Sequence, residues 1–371
     1  SMEKLIFRKF FFDIIGFFLI GILCLSLIVW VIQAVNYLDF VSEDGHSFKV
    51  YLYYTFLSFP KIFSRLLLFI FFISIFYTIL RYEEKNELVI LWTNGIKKKK
   101  FLNFVIKMSF FLIIIQIILN AFIVPKSQDI ARSYIRSSNI DYFPSLLKSK
   151  KFINAVEGLT IFVDKKNEKG QLENIFLKDG NAEFSQIILA KRGLLKRVNK
   201  EYYLELYNGS IIDRSSNNTN LITFDKTKFN LSNFTTKTTI SPKIQEQPTS
   251  LLIKCIKNIH KYDLGFIERN LNCNKNSISA VNEEIYKRLI VPFYILIISL
   301  VGSCLALKSE LENHFNIYKI LVFLAGIIFI ILSQILSKYS SELILKNISI
   351  LIMPFLISLM FYLFIQFKLK E

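Results

Sequence analysis

The chain has 371 residues, 53% of them hydrophobic and 37 of them Phe, with 46 Lys and Arg against 29 Asp and Glu. So many apolar side chains need a solvent other than water, which excludes an ordinary soluble globular protein and points to a lipid-embedded one. The net charge of +17 invites a nucleic-acid function, but the cations are spread over membrane flanks and a polar middle segment without a nucleic-acid module, so no nucleic acid is expected as partner.

Crossing about 30 Å of hydrocarbon takes roughly 20 apolar residues at about 1.5 Å per residue. Six such runs lie near 11–35, 60–80, 101–124, 288–307, 317–337 and 347–367. The first follows Lys4, Arg8 and Lys9 like a signal peptide, but it is too long and lacks a small-residue cleavage site, so a retained span is expected. With the N-terminus in the cytoplasm, the inner flanks carry 13 Lys and Arg and the short outer flanks five (Lys49, Lys61, Arg65, Lys338 and Lys346). The positive-inside rule then places both termini in the cytoplasm and the large middle segment outside.

Where the second run leaves the outer surface stand Pro60, Lys61 and Arg65, with both cations on one helix face by i, i+4 spacing. Two readings stay open. One is snorkelling to lipid headgroups. The other is recognition of a phosphate on an amphipathic substrate, which suits the forked guanidinium of Arg and the point charge of Lys.

Next in the chain, RYEEKNELVILWTNGI puts Glu83, Glu84 and Glu87 near the start of a short helix, where they suit its dipole, and Asn94-Gly95 at its stop. Leu88, Leu91 and Trp92 share one face. Anionic headgroups would repel the acidic residues, so an apolar groove on a partner protein fits better than the membrane surface, with the following KKKK pinning the loop.

From about 126 to 286 the composition turns to Asn, Ser, Thr and Lys, marking a separate extramembrane region. GLTIFVD (158–164) and QLENIFLKD (171–179) read as strands around KNEKG, and EYYLELYNGSIID (201–213) reads as a hairpin about Asn208-Gly209. SQIILAKR (185–192), NLITFDKTKFNL (220–231) and KTTI (237–240) read as further strands, a spacing that favours a sandwich or jelly roll. Ile161, Val163, Ile175, Leu177, Leu204 and Leu206 are expected to face inward, either lining an apolar groove or forming an ordinary core.

SLLIKCIKNIHKY (250–262) has helical spacing, and SISAVNEEIYKRLIVPF (277–293) reads as a helix leading into the fourth run. The expected fold class is a membrane α-helical protein of six spans with an inserted all-β, jelly-roll-like domain. Spans one to three and the loop helix 82–96 occupy 1–125, the β domain 126–270, and spans four to six 271–371.

Catalytic chemistry is hard to find. The three histidines, His46, His260 and His314, are far apart in sequence, and neither a phosphate loop nor an H-E-x-x-H pair is present. The spans also lack the carboxylate chain of a proton-coupled carrier, Asp13 lying near the inner boundary where water reaches it. No catalytic residue, metal or cofactor is expected. Of four cysteines, Cys24 and Cys304 lie within runs, and Cys255 and Cys273 lack metal-like spacing, leaving a disulfide between them open in an oxidising compartment.

These motifs together resemble the LptF/LptG permease family of the lipopolysaccharide export ABC transporter. ELVILWTNGI resembles the family's E-L-x-x-L-x-x-x-G-[IF] element at Glu87, Leu88, Leu91, Gly95 and Ile96. The stretch ending in Pro60 resembles its LP-like approach to the second span, and VNEEIYKRLIVPF its E-[LI]-x-x-R-[LI]-x-x-P start of the fourth, at Glu284, Arg288 and Pro292. The IFVDKKNEKGQLENIFLKD and EEIYKRL stretches look more like the LptF branch. The chain departs from the pattern at Gln33 and Asn36, where members often carry a basic residue at the outer end of the first span.

The resemblance implies an inner-membrane permease paired with a second one, first span against the partner's fifth, around a cavity open to the outer leaflet. A dimeric LptB-like cytoplasmic ATPase would receive the 82–96 helix through Leu88, Leu91 and Trp92. Lipopolysaccharide would pass into a periplasmic β domain continued by LptC-like and LptA-like jelly-roll proteins. Two alternatives compete with it. A membrane-anchored periplasmic binding or signalling protein needs a sizeable inner output domain, which a longest inner loop of about 20 residues does not provide. An intramembrane lipid enzyme has only Glu283, Glu284 and Arg288 to draw on, and a helix-start role explains them.

Overall fold

The structure, a computed structural model, describes residues 2–38, 47–137, 147, 149–156, 158–167, 170–180, 185–198, 201–214, 219–231, 243–259, 266–268, 271–273, 275–309, 314–339 and 344–369. His46, His260 and the expected strand 237–240 lie outside them.

The chain opens with helices α1 (Met2–Asn36), α2 (Phe48–Glu84), α3 (Glu87–Thr93) and α4 (Lys98–Ile118), the last running through a π turn at Leu119–Ile123 into α5 (Val124–Ser137). After six strands follow α6 (Thr249–Ile259), a hairpin, α7 (Lys275–Leu289), α8 (Tyr294–Ser303), α9 (Phe315–Lys338) and α10 (Ile344–Lys368). Six helical stretches among the described residues are long and apolar enough to cross a membrane, at the places the apolar runs predict. The second is 37 residues long, about 55 Å at about 1.5 Å per residue, so it extends well beyond a hydrocarbon core of about 30 Å. Pro60 therefore lies inside α2, not at its start as the sequence suggested, because the helix begins twelve residues earlier at Phe48.

Contacts divide the chain into two units, one of residues 1–32, 57–129 and 242–371 and the other of residues 33–56 and 130–241. In the first, α8 is the central helix, with Tyr294, Ile295 and every residue from Ile297 to Ser303 buried. A helix apolar all round must be enclosed by others. Small residues let its neighbours close in. A Cβ on Gly302 would stand 2.8 Å from the Ile75 side chain, and one on Gly326 of α9 would stand 2.0 Å from the Phe72 ring. Ser109 of α4 and Ser299 of α8 share a buried hydrogen bond of 2.6 Å.

A smaller core in the same unit forms where α6 meets α7 and the hairpin of β7 (Phe266–Glu268) and β8 (Leu271–Cys273). It consists of Leu251, Leu252, Cys255, Cys273 and Val281, and Cys255 and Cys273 are joined as a disulfide.

The second unit holds β1 (Lys151–Val156), β2 (Leu159–Lys166), β3 (Gln171–Gly180), β4 (Ser185–Val198), β5 (Glu201–Arg214) and β6 (Thr219–Asn230). They form one antiparallel sheet in chain order. The turn after β2 falls where KNEKG predicts it, closed by Asn167 N–H donating to Gln171 O at 2.9 Å.

The hairpin expected at Asn208-Gly209 is not a turn: β5 runs straight through it for 14 residues. Asn208 takes φ 52 and Asn174 of β3 takes φ 50, each a left-handed residue within a strand. Asn tolerates that conformation within a strand as well as in a turn, and the pairing register runs unshifted through both positions, which is why the dipeptide misleads. Gly209 is needed because a Cβ there would lie 2.1 Å from Leu189 O. Such a residue shifts the side-chain alternation by one, so Leu172 and Ile175, three apart, join the same apolar cluster, as do Leu206 and Ile211.

Candidate functional site

Within the helical unit lies a cavity of about 470 Å³. Four helices build it by the same periodicity. α2 contributes Lys61, Ser64, Arg65 and Leu68; α4 and its continuation give Gln116, Asn120 and Val124; α7 and the residues just after it give Glu284, Lys287, Arg288 and Val291; α9 gives Ile330 and Gln334. Positions three and four apart on a helix share a face, so each helix offers one stripe to the space. Gln245, in the single 3-10 turn Ile244–Glu246, completes the lining.

The cations divide by their partners. Arg288 is 2% exposed. Its Nε donates to Glu284 at 2.9 Å, Nη1 to Gln247 O at 2.8 Å and Thr249 Oγ1 at 3.0 Å, and Nη2 to Gln245 O at 3.0 Å. It is a clamp between α7 and the 243–249 segment. Lys287 is paired with Glu283. Lys61 Nζ donates to the neutral Gln245 Oε1 at 3.2 Å. Among the described residues neither Lys61 nor Arg65 forms an ion pair with a carboxylate, so the cavity wall carries two basic side chains without a salt-bridge partner. The sequence expected Lys61 and Arg65 on one face, and the structure puts both on this cavity.

Polar groups line the cavity where the apolar runs hid them. Gln116 Nε2 donates to Ser64 O at 3.0 Å, and Asn120 accepts from the Ser64 hydroxyl and donates to Lys287 O at 3.4 Å. Asn120 sits in the π turn, a rare feature that collects at functional sites. An amide pair four apart within an apolar run is expensive in a membrane, and that cost is the signal a sequence reading could have used.

The loop helix differs from its expectation. Glu83 and Glu84 end α2, Asn86 turns the chain at φ 57, and only Glu87 lies in the first turn of α3. Gly95 closes the helix at φ 80. Leu88 and Leu91 are 0% and 6% exposed and belong to this chain's own core, and Ile96 is buried beside them. Trp92 is half-buried, edge-on to Phe101 with ring centroids 5.8 Å apart. The face expected to meet a partner therefore turns inward, because the apolar stripe is what the helical bundle can bury. Exposed instead are Val89 and Ile90, at 38% and 55%. Lys9 of α1 pairs with Glu87 at 3.0 Å, and Arg81 with Asp13 at 3.2 Å, anchoring this end.

In the sheet unit, Ile161, Val163, Ile175, Leu177, Leu204 and Leu206 all fall in one cluster at 0–2% exposure. The side chains of Leu204 and Leu206 flank Glu205, which points the other way along a β-strand. Glu205 accepts from Tyr207 at 2.9 Å and is ringed by Lys196, Lys226 and Lys228 at 2.9, 3.5 and 3.8 Å. The Lys196 hydrogen bond first, then that of Tyr207, hold its carboxyl down to about 2, against an ordinary 4.5.

Among the described residues no group of three or more metal-binding side chains occurs.

These features define a multi-pass helical membrane protein with a six-stranded sheet inserted between its third and fourth spans and a cationic cavity among its helices. Residues 8–367 match the family described as the lipopolysaccharide export system permease LptF/LptG, and the chain belongs to that family. Six apolar helices and this family together indicate a multi-pass inner-membrane protein. The uncharacterized protein RP871 of Rickettsia prowazekii (strain Madrid E) is 23% identical over 232 residues, a match covering 62% of this chain and 64% of that relative.

Proposed function

We propose that the chain is the permease subunit of a lipopolysaccharide-exporting ABC transporter, of the LptF branch, and that its cavity takes the phosphorylated headgroup. The observation that carries this is the pair of basic residues without salt-bridge partners among the described residues, Lys61 and Arg65, on a polar-lined cavity within a permease of this family. A phosphate would neutralise both, since Arg can grip it with two donors and Lys adds a point charge. The chain itself is a transport subunit, and a second permease and a cytoplasmic ATPase complete the machine. The sheet unit, placed in the periplasm with both termini in the cytoplasm, receives the acyl chains along the apolar side of Ile161, Val163, Ile175, Leu177, Leu204 and Leu206. LptC-like and LptA-like jelly-roll proteins then continue that path.

Work is needed because drawing one acyl chain of about 14 carbons into water costs roughly 10 kcal/mol at about 0.8 kcal/mol per CH₂. An apolar sheet face lowers that cost by keeping the chain dry. The ATPase docks on α3 through Val89, Ile90 and the exposed side of Trp92, with Leu88 and Leu91 tying the helix to the bundle. Lipid bound after purification in mild detergent tests the cavity: Lys61→Ala/Arg65→Ala is expected to lose at least tenfold of the co-purified lipopolysaccharide seen with wild type. Retention of the wild-type amount by the double variant overturns the assignment.

A further inference from the structure

We propose that the Cys255–Cys273 disulfide is an oxidation-dependent latch that holds the 243–259 segment, which lends Gln245 to the cavity lining, in place. This goes beyond the transport reading and does not rest on it.

The N-terminal part of the segment is held by hydrogen bonds. Gln245 accepts from Lys61, Arg288 grips the carbonyls of Gln245 and Gln247, and the Thr249 hydroxyl donates to Ala121 O at 2.6 Å. Beyond Thr249 the hold changes character. α6 is only 11 residues long and rests on a core whose buried members are Leu251, Leu252, Cys255, Cys273 and Val281. Helices shorter than roughly 12–15 residues are marginal without tertiary support, and five buried residues supply little of it. The disulfide sits in the middle of this small core, both cysteines at most 1% exposed, and ties α6 to β8, two residues ahead of α7. It thereby joins the segment that Arg288 grips to the helix that carries Arg288.

The cross-link spans a sequence separation of 18. Closing a loop of that size removes enough freedom from the open state to favour the closed one on the order of a hundredfold. Without the link, α6 leaves its seat readily, and the Gln245 and Gln247 carbonyls are held less firmly against Arg288. The N-terminal part of the segment then keeps its hydrogen bonds to Lys61, Arg288 and Ala121 without a cross-link behind them.

Forming the link removes two protons and two electrons from the thiols. A protein disulfide of a thiol oxidant, or oxidised glutathione, accepts them. One cysteine thiolate attacks the oxidant's disulfide to give a mixed disulfide, and the other displaces it, releasing the oxidant as its reduced dithiol or thiol pair. Such bonds persist in oxidising compartments. The latch therefore faces one.

Hydrogen exchange on the full-length protein in detergent tests the latch, after membranes are first blocked with iodoacetamide and digested without reductant to score the bond. A peptide pair linked through Cys255 and Cys273 is expected. Reducing the wild type with tris(2-carboxyethyl)phosphine is then expected to speed exchange of the 247–252 amides by on the order of a hundredfold, leaving α9 peptides unchanged. Cys255→Ser/Cys273→Ser should match the reduced wild type, and if that variant does not fold, the reduced wild type carries the reading. Iodoacetamide capture of both cysteines, unchanged exchange over 247–252, or acceleration spread equally through α9 would each overturn the proposal. None of these readouts involves lipid or transport, so the latch and the transport reading can fail separately.

Discussion

Arg288 and Arg65 line the same cavity, yet one is bonded at every nitrogen and the other forms no ion pair with a carboxylate among the described residues. Removing one partner of a buried, hydrogen-bonded ion pair leaves the other uncompensated, at a cost of about 3–5 kcal/mol. Arg288→Met, which leaves Glu284 and three acceptors without their donor, should therefore lower the melting temperature clearly. Arg65→Ala removes a charge that has no ion-pair partner to strand, and should melt like wild type while weakening anion binding. Equal melting of the two variants would erase the distinction between clamp and ligand.

Glu205 gives a second residue-scale test, with its sign set by a depressed carboxyl. Its contribution to folding is complete above the ordinary value of 4.5 and is lost as pH falls toward about 2. The sheet unit should lose protection in that acidic window, and Glu205→Gln should flatten the loss because Gln does not titrate. Hydrogen exchange of β4 and β5 amides against pH reads both.

At the scale of elements, the sheet shows what local pattern reveals and what it hides. The positions of β2, β3, β4 and β6 follow from alternation and turn chemistry, and the six apolar runs from length alone. Asn208-Gly209 misled because left-handed Asn occurs in turns and within strands alike, and only the partner strands β4 and β6 decide between them. A Gly209→Val side chain would meet Leu189 O and the Phe224 ring, where a Cβ already comes within 2.1 and 2.6 Å. Overpacking of this kind typically costs about 1–3 kcal/mol. Faster exchange of the β5 amides around position 209 is the expected signature.

The site was half legible for the same reason. Lys61 and Arg65 share a face by spacing within one helix, which a sequence displays. The Arg288 clamp, Gln245 and the burial of Leu88 and Leu91 depend on segments far apart in the chain, which no local periodicity encodes. For α3 the apolar stripe was visible, but whether a partner or the chain itself covers it was not.

At the scale of the whole molecule, α2 is the element that the two proposed activities share. It carries Lys61 and Arg65 at the cavity and reaches Glu84, two residues before the turn into α3, without interruption. The 19 residues from Arg65 to Glu84 span about 28 Å at about 1.5 Å per residue, close to the hydrocarbon thickness of about 30 Å. A rigid helix of that length can transmit a push on α3 to the cavity, but it should not make binding at one end a condition of docking at the other.

The transport reading therefore predicts a double dissociation. Val89→Asp/Ile90→Asp places two carboxylates on the exposed side of α3 and should abolish co-purification of the ATPase while lipopolysaccharide stays bound. Lys61→Ala/Arg65→Ala should do the reverse. Leu88→Asp, by contrast, buries a charge in the chain's own core and should destabilise the bundle outright, so its effect on docking cannot stand for a contact. If Val89 and Ile90 tolerate the change while the ATPase still binds, docking does not run through α3. If each double variant loses both partners, α2 is not a strut between two separable sites, and cavity and loop helix form one cooperative unit.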